Sequence, residues 1–508
     1  MQELNRKTAR GAVSHPERVL QYGEGNFLRA FADWVIDRMN KESGFASGVT
    51  VVQPIPQGMA ELLNAQDGLY HLYLQGIKDG RTVSDLTRID CINRALNPYT
   101  QYAEYIKIAD NPALRFIVSN TTEAGIVYDE KDTADMRPQQ SFPGKLTAFL
   151  YRRFRTFGGA AGKGLIIICC ELIENNAGML KQCVLSHARK WGLGRAFTEW
   201  IEHANAFCST LVDRIVPGFP RNRIGDIQRQ LGFRDQLVVE GEYFHLWVIE
   251  APAWVEREFP ARQAGLNVIF TDDMTPYRQR KVRILNGAHT ASFAVSLLAG
   301  VETVRESVAH PQIGRFMSEL VAEEICPFIN HAGIEAASYA GEVWERFQNP
   351  FIKHFWKSIA LNSVSKWETR VLPSLTDHYL HTGRLPQRLV FSLAALICYY
   401  RGEYRDLSIQ ADDAAETVNF LRSVWAGFAL DADSTLKLAR NVLANAALWK
   451  RNLDDIAGLA EAVAGHVFRI QRSGILEAMA EVMAPEVRYG GSKDPLNVFI
   501  AAGVSENG

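Results

Sequence analysis

The sequence predicts an α/β protein in which a parallel-sheet domain, residues 1–274, precedes a mainly α-helical domain, residues 275–508. Up to Thr271, apolar strand-like runs that end in polar residues alternate with helical segments, which is typical of a parallel sheet. After Thr271 the chain is rich in Ala, Leu and Arg and its apolar residues follow helical spacing. The length of 508 residues also favours two or more domains.

The composition argues against several classes of function. A formal net charge of −2 gives no electrostatic reason to expect binding to nucleic acid or to an anionic membrane. The 7 cysteines show no metal-ligand spacing. The first ten residues lack the apolar core of a signal peptide, and no apolar run is long enough for a membrane span. We therefore expect a soluble, cytoplasmic protein without a metal site.

The first predicted strand, residues 18–22, runs into a glycine turn, Gly23 to Gly25, and then into a helix that extends to about Met39. This arrangement directs free backbone N–H groups at a phosphate and lets a pyrophosphate approach closely. We assign Gly23, Gly25, Asn26 and Phe27 to a dinucleotide cofactor. The motif alone is also compatible with a plain turn, because Leu28 replaces the third glycine of the usual fingerprint.

The next strand, residues 49–52, ends at Gln53, where dinucleotide-binding domains usually carry Asp or Glu for the ribose hydroxyls. Gln53 can donate and accept hydrogen bonds there but brings no charge. No arginine follows immediately to favour a 2′-phosphate. The sequence therefore favours NAD as the cofactor.

Two further apolar strands, residues 115–119 and 164–170, are joined by a helix over 145–157 and end in polar residues. The carboxyl ends of parallel strands meet at one edge, so we expect a ligand there. Thr122 and Glu123 follow the first of these strands and are assigned to the cofactor. The pair Asn175-Asn176 follows the second, although a turn or a helix cap would also explain it.

The helix that begins near Thr275 carries the stretch KVRILNGAHT. At about 100° per residue, Lys281, His289 and Asn286 fall at roughly 0°, 80° and 140°, whereas Arg283 points away near 200°. One face therefore carries an amine, an amide and an imidazole, which can serve as a base, an oxyanion donor and a partner for a substrate hydroxyl. A polar helix face with an incidental lysine is the alternative.

The chain resembles the polyol-specific long-chain dehydrogenases, the mannitol dehydrogenase family, in GEGNFLRAF, SNTTE, ELIENNAG, VDRIVP and above all KVRILNGAH. The resemblance covers nearly the whole chain. It implies a Rossmann-type N-terminal domain, a mainly α-helical C-terminal domain and metal-independent hydride transfer between NAD(H) and a ketone or alcohol. Within the family, QYGEGNFLRAF and SFPGKLTAFLYRRF resemble the members that act on sugar acids.

The resemblance also implies roles for single residues. Lys281 is expected to be the general acid–base, Asn286 and Asn176 to hold the developing alkoxide, and His289 to bind a substrate hydroxyl. Asn176 is preferred to Asn175 because it aligns better with an Asn-Gly pair of the family, although an asparagine is also common where Leu172 stands.

Three further residues are expected to bind substrate, namely Lys366, Asp213 and Lys145. For Asp213 a local ion pair with Arg214 is the alternative. An arginine that the family often carries eight residues before Lys366 is Ser358 here. The partner of the substrate carboxylate therefore stays open among four cations, which are Lys145, Lys357, Lys366 and Arg370.

Several alternatives remain at this point. The same chemistry can act on fructuronate and mannonate or on mannitol. A nucleotide-binding sensor without catalysis is a second alternative, but the intact Lys281, Asn286 and His289 argue against it. A zinc dehydrogenase lacks a Cys/His cluster at ligand spacing. The sequence leaves the oligomeric state open, and a monomer is compatible with it.

Overall fold

A computed structural model describes residues 1–329 and 335–484 of the chain. The chain divides into two compact units: the first comprises residues 1–76 and 82–274, and the second comprises residues 77–81 and those from 275 onward. The prediction placed 77–81 in the first domain. Residues 330–334 and 485–508 of the predicted helical domain lie outside the described residues.

The first unit is built around an eight-stranded sheet, called the large sheet below. All pairings that we describe in it are parallel except one, in which Leu246–Glu250 runs antiparallel to Ala206–Asp213. The strand order across the sheet is Val268–Thr271, Leu246–Glu250, Ala206–Asp213, Ile166–Cys169, Phe116–Ser119, Glu17–Tyr22, Gly48–Val52 and Ile92–Leu96.

The order reverses between the neighbouring strands Glu17–Tyr22 and Phe116–Ser119. From the first strand the chain continues toward one edge of the sheet, and from the second toward the other edge. Ligand crevices form at such switch points, outside the carboxyl ends of the strands. The glycine turn follows the first of these two strands, so the topology places it at the expected position.

Apolar residues cover both faces of the large sheet. Val19 belongs to the core on one face and Leu20 to the core on the other, because successive side chains of a strand alternate. This two-sided burial explains the nearly continuous apolar runs of the sequence. The α-helices of the unit are Asn26–Ala30, Ala32–Glu42, Ala60–Ala65, Tyr102–Lys107, Phe142–Thr156, Asn176–Lys190, Arg195–Ala204, Ile224–Leu231 and Trp254–Glu258.

Two smaller sheets contain the remaining strands of this unit. One contains Val239–Glu242, Tyr70–Lys78 and Arg81–Ile89, in that order, and the other pairs Gln2–Glu3 with Phe233–Arg234. Short 3-10 turns lie at Ile108–Asp110 and Ala161–Lys163.

The second unit is mainly helical. Its α-helices are Thr275–Arg280, Gly287–Leu298, Val304–Ala309, Pro311–Glu319, Ala336–Phe347, Trp356–Ile359, Ser363–Arg370, Leu372–Thr382, Gln387–Tyr399, Ala415–Ser423, Ala432–Leu443, Ala446–Trp449, Leu459–Ser473 and Ile475–Val482. Two π-helical segments, Lys281–Asn286 and Leu320–Ile325, continue preceding helices, and a 3-10 turn covers Cys326–Phe328. The short strands Glu403–Tyr404 and Leu407–Ser408 pair with each other. None of the helices in the described residues is long and apolar enough to span a membrane.

The fold class is as predicted, but some elements differ. The helix expected to run to about Met39 breaks at Phe31, where φ is −127° and ψ is −78°. The strands Val239–Glu242 and Leu246–Glu250 lie close together in sequence but belong to different sheets. The strands Ile92–Leu96 and Ala206–Asp213 escaped prediction because polar residues interrupt their apolar runs.

Candidate active site

The two glycines of the glycine turn serve different purposes. Gly23 has a φ of +115°, and a Cβ atom there would lie 2.7 Å from the carbonyl oxygen of Asn120, so only glycine fits. Gly25 is exposed, and a Cβ atom there would meet nothing within 4 Å. Gly25 also precedes the helix Asn26–Ala30 without a side-chain cap for its N–H groups. Open space before uncapped N–H groups is what a phosphate requires.

Leu28, which replaces the third glycine, is buried next to the turn. Its Cδ1 lies 3.1 Å from where a Cβ atom of Gly23 would stand, so it fills the space that the missing side chain leaves. Of the predicted cofactor residues, Asn26 is exposed and accepts a hydrogen bond from Arg29 (2.7 Å), and Phe27 stacks on Phe31 with ring centroids 5.0 Å apart.

Gln53 is buried, and the loop that follows it uses its amide. Nε2 donates to the carbonyl oxygens of Ile55 and Pro56, both at 2.8 Å. Oε1 accepts from the N–H of Ala60 at 3.2 Å. A ribose would have to compete with these bonds, and the contact of Gln53 with the cofactor stays a prediction.

An acidic side chain nevertheless lies beside Gln53, because Glu24 of the glycine turn is buried there. A Cβ atom at Gly58 would lie 2.3 Å from Oε1 of Glu24 and 2.4 Å from Cδ of Gln53. Burial raises the pKa of Glu24. Its Oε2 atom has no hydrogen-bond partner among the described residues. The sequence pattern predicts an acidic residue only at the end of the second strand, where Gln53 stands, and therefore does not indicate Glu24.

The strands Phe116–Ser119 and Ile166–Cys169 are tied together at their carboxyl ends by Glu171. Its carboxylate accepts hydrogen bonds from the Ser119 hydroxyl and from the N–H and hydroxyl of Thr121, each at 3.0 Å. Burial raises the pKa of Glu171, and these bonds oppose that shift.

Thr122 and Glu123, the predicted cofactor residues, come directly after this clamp and are exposed. Thr122 has a φ of +73°. A β-branched residue rarely adopts the left-handed region, and such strain concentrates at functional sites. Both residues keep their predicted role as a proposal.

The choice of Asn176 over Asn175 stays a prediction, but the hydrogen bonds of Asn176 argue against it. Asn176 is fully buried, and its Nδ2 lies within hydrogen-bond distance of the carbonyl oxygens of Cys169 (3.0 Å), Glu171 (2.9 Å) and Thr210 (3.3 Å). Its Oδ1 accepts two backbone N–H groups. The amide therefore holds the strand ends and has no N–H to offer a substrate. Asn175 is exposed in the same turn, with a φ of 50°.

The surroundings of Lys145 argue against its predicted role as a substrate-binding residue. Its side chain is fully buried, its amine donates to the carbonyl oxygen of Gln140 at 2.7 Å, and it lies 5.0 Å from the ring centroid of Tyr99. Burial lowers its pKa to about 8. The amine is part of the interior of the first unit.

Asp213 ends the strand Ala206–Asp213 and is buried. Arg214 does not form the local ion pair considered for Asp213. Its guanidinium donates to the carbonyl oxygens of Ala30 (2.5 Å) and Phe244 (3.0 Å) and lies over the ring of Trp34 at 4.1 Å. The predicted substrate contact of Asp213 stays a proposal.

In the second unit, Lys281 and Asn286 bound a π-helical segment, where the sequence predicted a regular α-helix. In an α-helix the two side chains would lie about 140° apart. The i→i+5 hydrogen bonding of a π turn instead brings residues five apart onto one face. Both residues are half-buried, and the Asn286 side chain makes no hydrogen bond within the described residues. Single π turns inside α-helices frequently mark functional sites.

The opposite side of this segment is anchored in the interior. The Arg283 guanidinium is buried and donates to the Asp377 carboxylate at 2.7 Å and to the Ser374 hydroxyl at 3.0 Å. A Cβ atom at Gly287 would lie 3.2 Å from the carbonyl oxygen of Arg370, so glycine lets two helices approach closely. These contacts fix the rotation of the helix at Arg283, and the opposite orientation of Lys281 stays a prediction.

His289 lies in an aromatic environment. Its ring centroid is 4.5 Å from that of Phe347, 4.9 Å from that of His354 and 6.1 Å from that of Trp356. Burial and the charge of Arg346 lower the pKa of His354. His354 lacked any recognisable sequence signal. The packing holds the imidazole of His289 in one orientation, as a hydrogen-bonding group for a substrate hydroxyl requires.

Lys366 and Arg370 lie on the helix Ser363–Arg370. The Lys366 amine donates to the carbonyl oxygen of Ile359 at 3.0 Å, next to the exposed Ser358. Burial and the charge of Arg370 lower the pKa of Lys366. Within the described residues, no group of three or more His, Cys, Asp or Glu side chains could hold a metal ion.

Family models and relatives agree on one family. The mannitol dehydrogenase Rossmann domain matches residues 17–262, and the mannitol dehydrogenase C-terminal domain matches residues 273–471. An altronate oxidoreductase of Bacillus subtilis is 47% identical and covers 96% of this chain and 100% of its own. An altronate oxidoreductase of Escherichia coli is 43% identical and covers 94% and 99%.

Solved structures show the same fold. A D-sorbitol dehydrogenase in substrate-free form superposes with a TM-score of 0.76 at 19% identity, covering 94% of this chain and 100% of its own. The Pseudomonas fluorescens mannitol 2-dehydrogenase, solved as a ternary complex with NAD and D-mannitol, superposes with a TM-score of 0.64 at 20% identity, covering 95% and 100%.

Proposed function

The chain belongs to the mannitol dehydrogenase family, and on that basis we propose that it is an NAD-dependent oxidoreductase that interconverts D-tagaturonate and D-altronate. The observation that supports this chemistry is the π-helical segment Lys281–Asn286, because the i→i+5 hydrogen bonding of a π turn favours a common face for residues five apart. The choice of substrate is supported by relatives named altronate oxidoreductases, which are 43% to 47% identical over nearly the whole chain.

The residues around the glycine turn fit a dinucleotide. The conformation of Gly23 and the open space over Gly25 form a cradle that side chains would fill. The buried Glu24 carboxylate beside Gln53 disfavours a second phosphate on the adenosine ribose, which supports NAD over NADP. When bound, NADH supplies the hydride.

The chain's own residues handle the proton and the developing charge. During reduction the Lys281 ammonium donates its proton to the carbonyl oxygen of the substrate, and during oxidation the amine takes that proton back from the hydroxyl. The Asn286 amide stabilises the alkoxide, and Asn175 replaces Asn176 as the candidate amide of the first unit. His289 and Lys366 orient the substrate. The ketone, NADH and one proton thus give the alcohol and NAD⁺.

A substrate panel tests this function. Purified protein with NADH should reduce tagaturonate with a kcat/KM at least about tenfold above that for fructuronate and far above that for fructose, since misplaced or missing polar groups cost selectivity. A preference for fructuronate or fructose would assign the chain to the mannonate or mannitol activities of the family instead. A higher kcat/KM with NADPH than with NADH would contradict the cofactor.

Metal independence is a further part of this proposal, because a lysine acid–base needs no Lewis acid. Exhaustive chelation should therefore leave kcat unchanged. Loss of activity with a chelator, restored by zinc, would refute the lysine mechanism.

A further inference from the structure

Arg370 is a half-buried arginine whose guanidinium makes no hydrogen bond or ion pair within the described residues. Burial lowers its pKa. None of its nitrogen atoms is sealed from solvent, so a ligand can reach them.

Lys366 lies four residues earlier on the same helix, so the two side chains share one face. Like charges at this spacing repel each other, and the lowered pKa of Lys366 reflects that repulsion together with burial. Two cations that share a half-buried face are stabilised by an anion between them.

The acidic groups nearest in sequence and space do not neutralise this pair. Glu368, two residues from each cation, faces away from them on the helix. Asp413 is engaged by the hydroxyl of Tyr400 at 2.5 Å and by the N–H of Val364 at 3.3 Å, at the beginning of the helix. The charge of Asp413 raises the pKa of Lys366, but burial and the charge of Arg370 lower this pKa by more.

The pair also lies next to the helix that carries the proposed catalytic residues. The carbonyl oxygen of Arg370 is 3.2 Å from the position of a Cβ atom on Gly287, which directly follows Asn286. On its other side, the Lys366 amine bonds the carbonyl oxygen of Ile359, beside the exposed and small Ser358. A small side chain at that position leaves room for a substrate end-group.

We propose that Arg370 and Lys366 together bind the carboxylate of the substrate and so select sugar acids over neutral ketoses. This inference rests on the proposed function and adds the residues that recognise the acid. The planar guanidinium of Arg370 offers two parallel N–H groups to the carboxylate, and the Lys366 ammonium adds a point charge. The helix dipole also favours a cation in the last turn of a helix. That effect alone would not explain why Arg370 is half-buried or why a second cation lies beside it.

The test compares two substrates in two variants. Arg370→Gln removes the charge but keeps much of the length of the side chain. We expect kcat/KM for tagaturonate to fall about 10- to 100-fold, as for a lost charge-assisted hydrogen bond, through KM more than through kcat. The kcat/KM for fructose and the NADH affinity should change less than about twofold. Arg370→Lys should retain part of the selectivity because it keeps the charge.

Arg384→Gln is the matched control, because Arg384 is an exposed arginine of the same unit with no side-chain contact in the described residues. It should leave the ratio of the two kcat/KM values unchanged. Titration of altronate into the NADH complex of each variant, followed by NADH fluorescence, gives a readout without turnover, and Arg370→Gln should weaken altronate binding by the same factor.

Two failures are distinguishable. A wild-type protein that does not prefer tagaturonate to fructose would contradict the proposed function. A wild-type preference that Arg370→Gln leaves intact, with unchanged altronate affinity, would overturn only the inference about Arg370. An equal loss for both substrates would show a general effect on the fold and would also overturn it.

Discussion

In the first unit, the amides of Gln53 and Asn176 are buried and bonded to the backbone on both the donor and the acceptor side. In the second unit, the amide of Asn286 and the guanidinium of Arg370 are half-buried and make no hydrogen bond within the described residues. In a sequence alone these polar residues look equivalent. Their hydrogen bonding separates the groups that hold the chain from those that can meet a ligand.

The difference indicates how each unit takes part in binding. At the glycine turn a ligand would meet backbone N–H groups and open space, while the surrounding side chains keep the strand ends in place. Around the π-helical segment a ligand would meet side chains. Substitutions of the buried, hydrogen-bonded amides of the first unit should therefore cost stability. Substitutions of Asn286 and Arg370 in the second unit should cost catalysis or substrate binding.

The largest effect should come from Lys281. If its amine transfers the proton, Lys281→Ala should lower kcat by about two to four orders of magnitude. Lys281→Arg should fail almost as badly, because a guanidinium does not release its proton near neutral pH. Steady-state kinetics of the wild type and the two variants measure both effects.

Lys437→Ala serves as the control for Lys281→Ala, because Lys437 is an exposed lysine in the helix Ala432–Leu443. It should leave kcat unchanged. A Lys281→Ala protein that folds, binds NADH and keeps more than about a tenth of the wild-type kcat would end the proposal.

The next effect compares two asparagines. Asn286→Ala should lower kcat by about 10²- to 10³-fold, the scale for one oxyanion donor, and leave stability nearly unchanged. Asn176→Ala should instead lower the free energy of unfolding by about 2–4 kcal/mol, since buried backbone groups lose their partners. Denaturant unfolding and kcat measured on both variants test the contrast. A catalytic loss without destabilisation in Asn176→Ala would restore its original assignment.

The fold was accessible from the sequence because its signals are local. Continuous apolar runs predicted the central strands, and the glycine turn predicted the connection from the first strand to its helix. The strands Ile92–Leu96 and Ala206–Asp213 were missed because polar residues interrupt their apolar runs. Their place in the sheet depends on pairing with strands distant in sequence. The break at Phe31 has no proline or glycine to announce it.

The site was accessible only in part. The residue types of Lys281, Asn286 and His289 pointed to proton transfer, but a spacing of 100° per residue could not foresee the π turn. Side-chain partners were invisible as well. Whether Asn175 or Asn176 turns inward depends on backbone carbonyls of two strands, Ile166–Cys169 and Ala206–Asp213, and of Glu171 after the first.

The two glycines of the turn give a third contrast. Gly23→Ala should lose both NADH affinity and about 1–3 kcal/mol of unfolding free energy, because its positive φ and the contact with Asn120 exclude a side chain. Gly25→Ala should leave stability unchanged, since its φ of −67° suits alanine. It should nevertheless weaken NADH binding about tenfold or more if a phosphate occupies the open space. NADH titration and denaturant unfolding of both variants test this contrast. Unchanged NADH binding in Gly25→Ala would contradict the proposal that a phosphate occupies the open space at Gly25.

The smallest effect on catalysis should come from Lys145, because its amine lies in the interior. Lys145→Met should leave the KM for tagaturonate unchanged, whereas a large increase would return Lys145 to the substrate site. Stability should respond instead. The pKa of Lys145 is lowered from 10.5 to about 8 by burial, so between these pH values the unfolded chain binds more protons than the folded one. Wild-type stability should therefore gain up to about 3 kcal/mol from this group as pH rises through that window, and the methionine variant should lack this gain. Denaturant unfolding of the two proteins at pH values on either side of the window measures this gain in unfolding free energy. Parallel pH profiles of the two proteins would contradict the lowered pKa of Lys145.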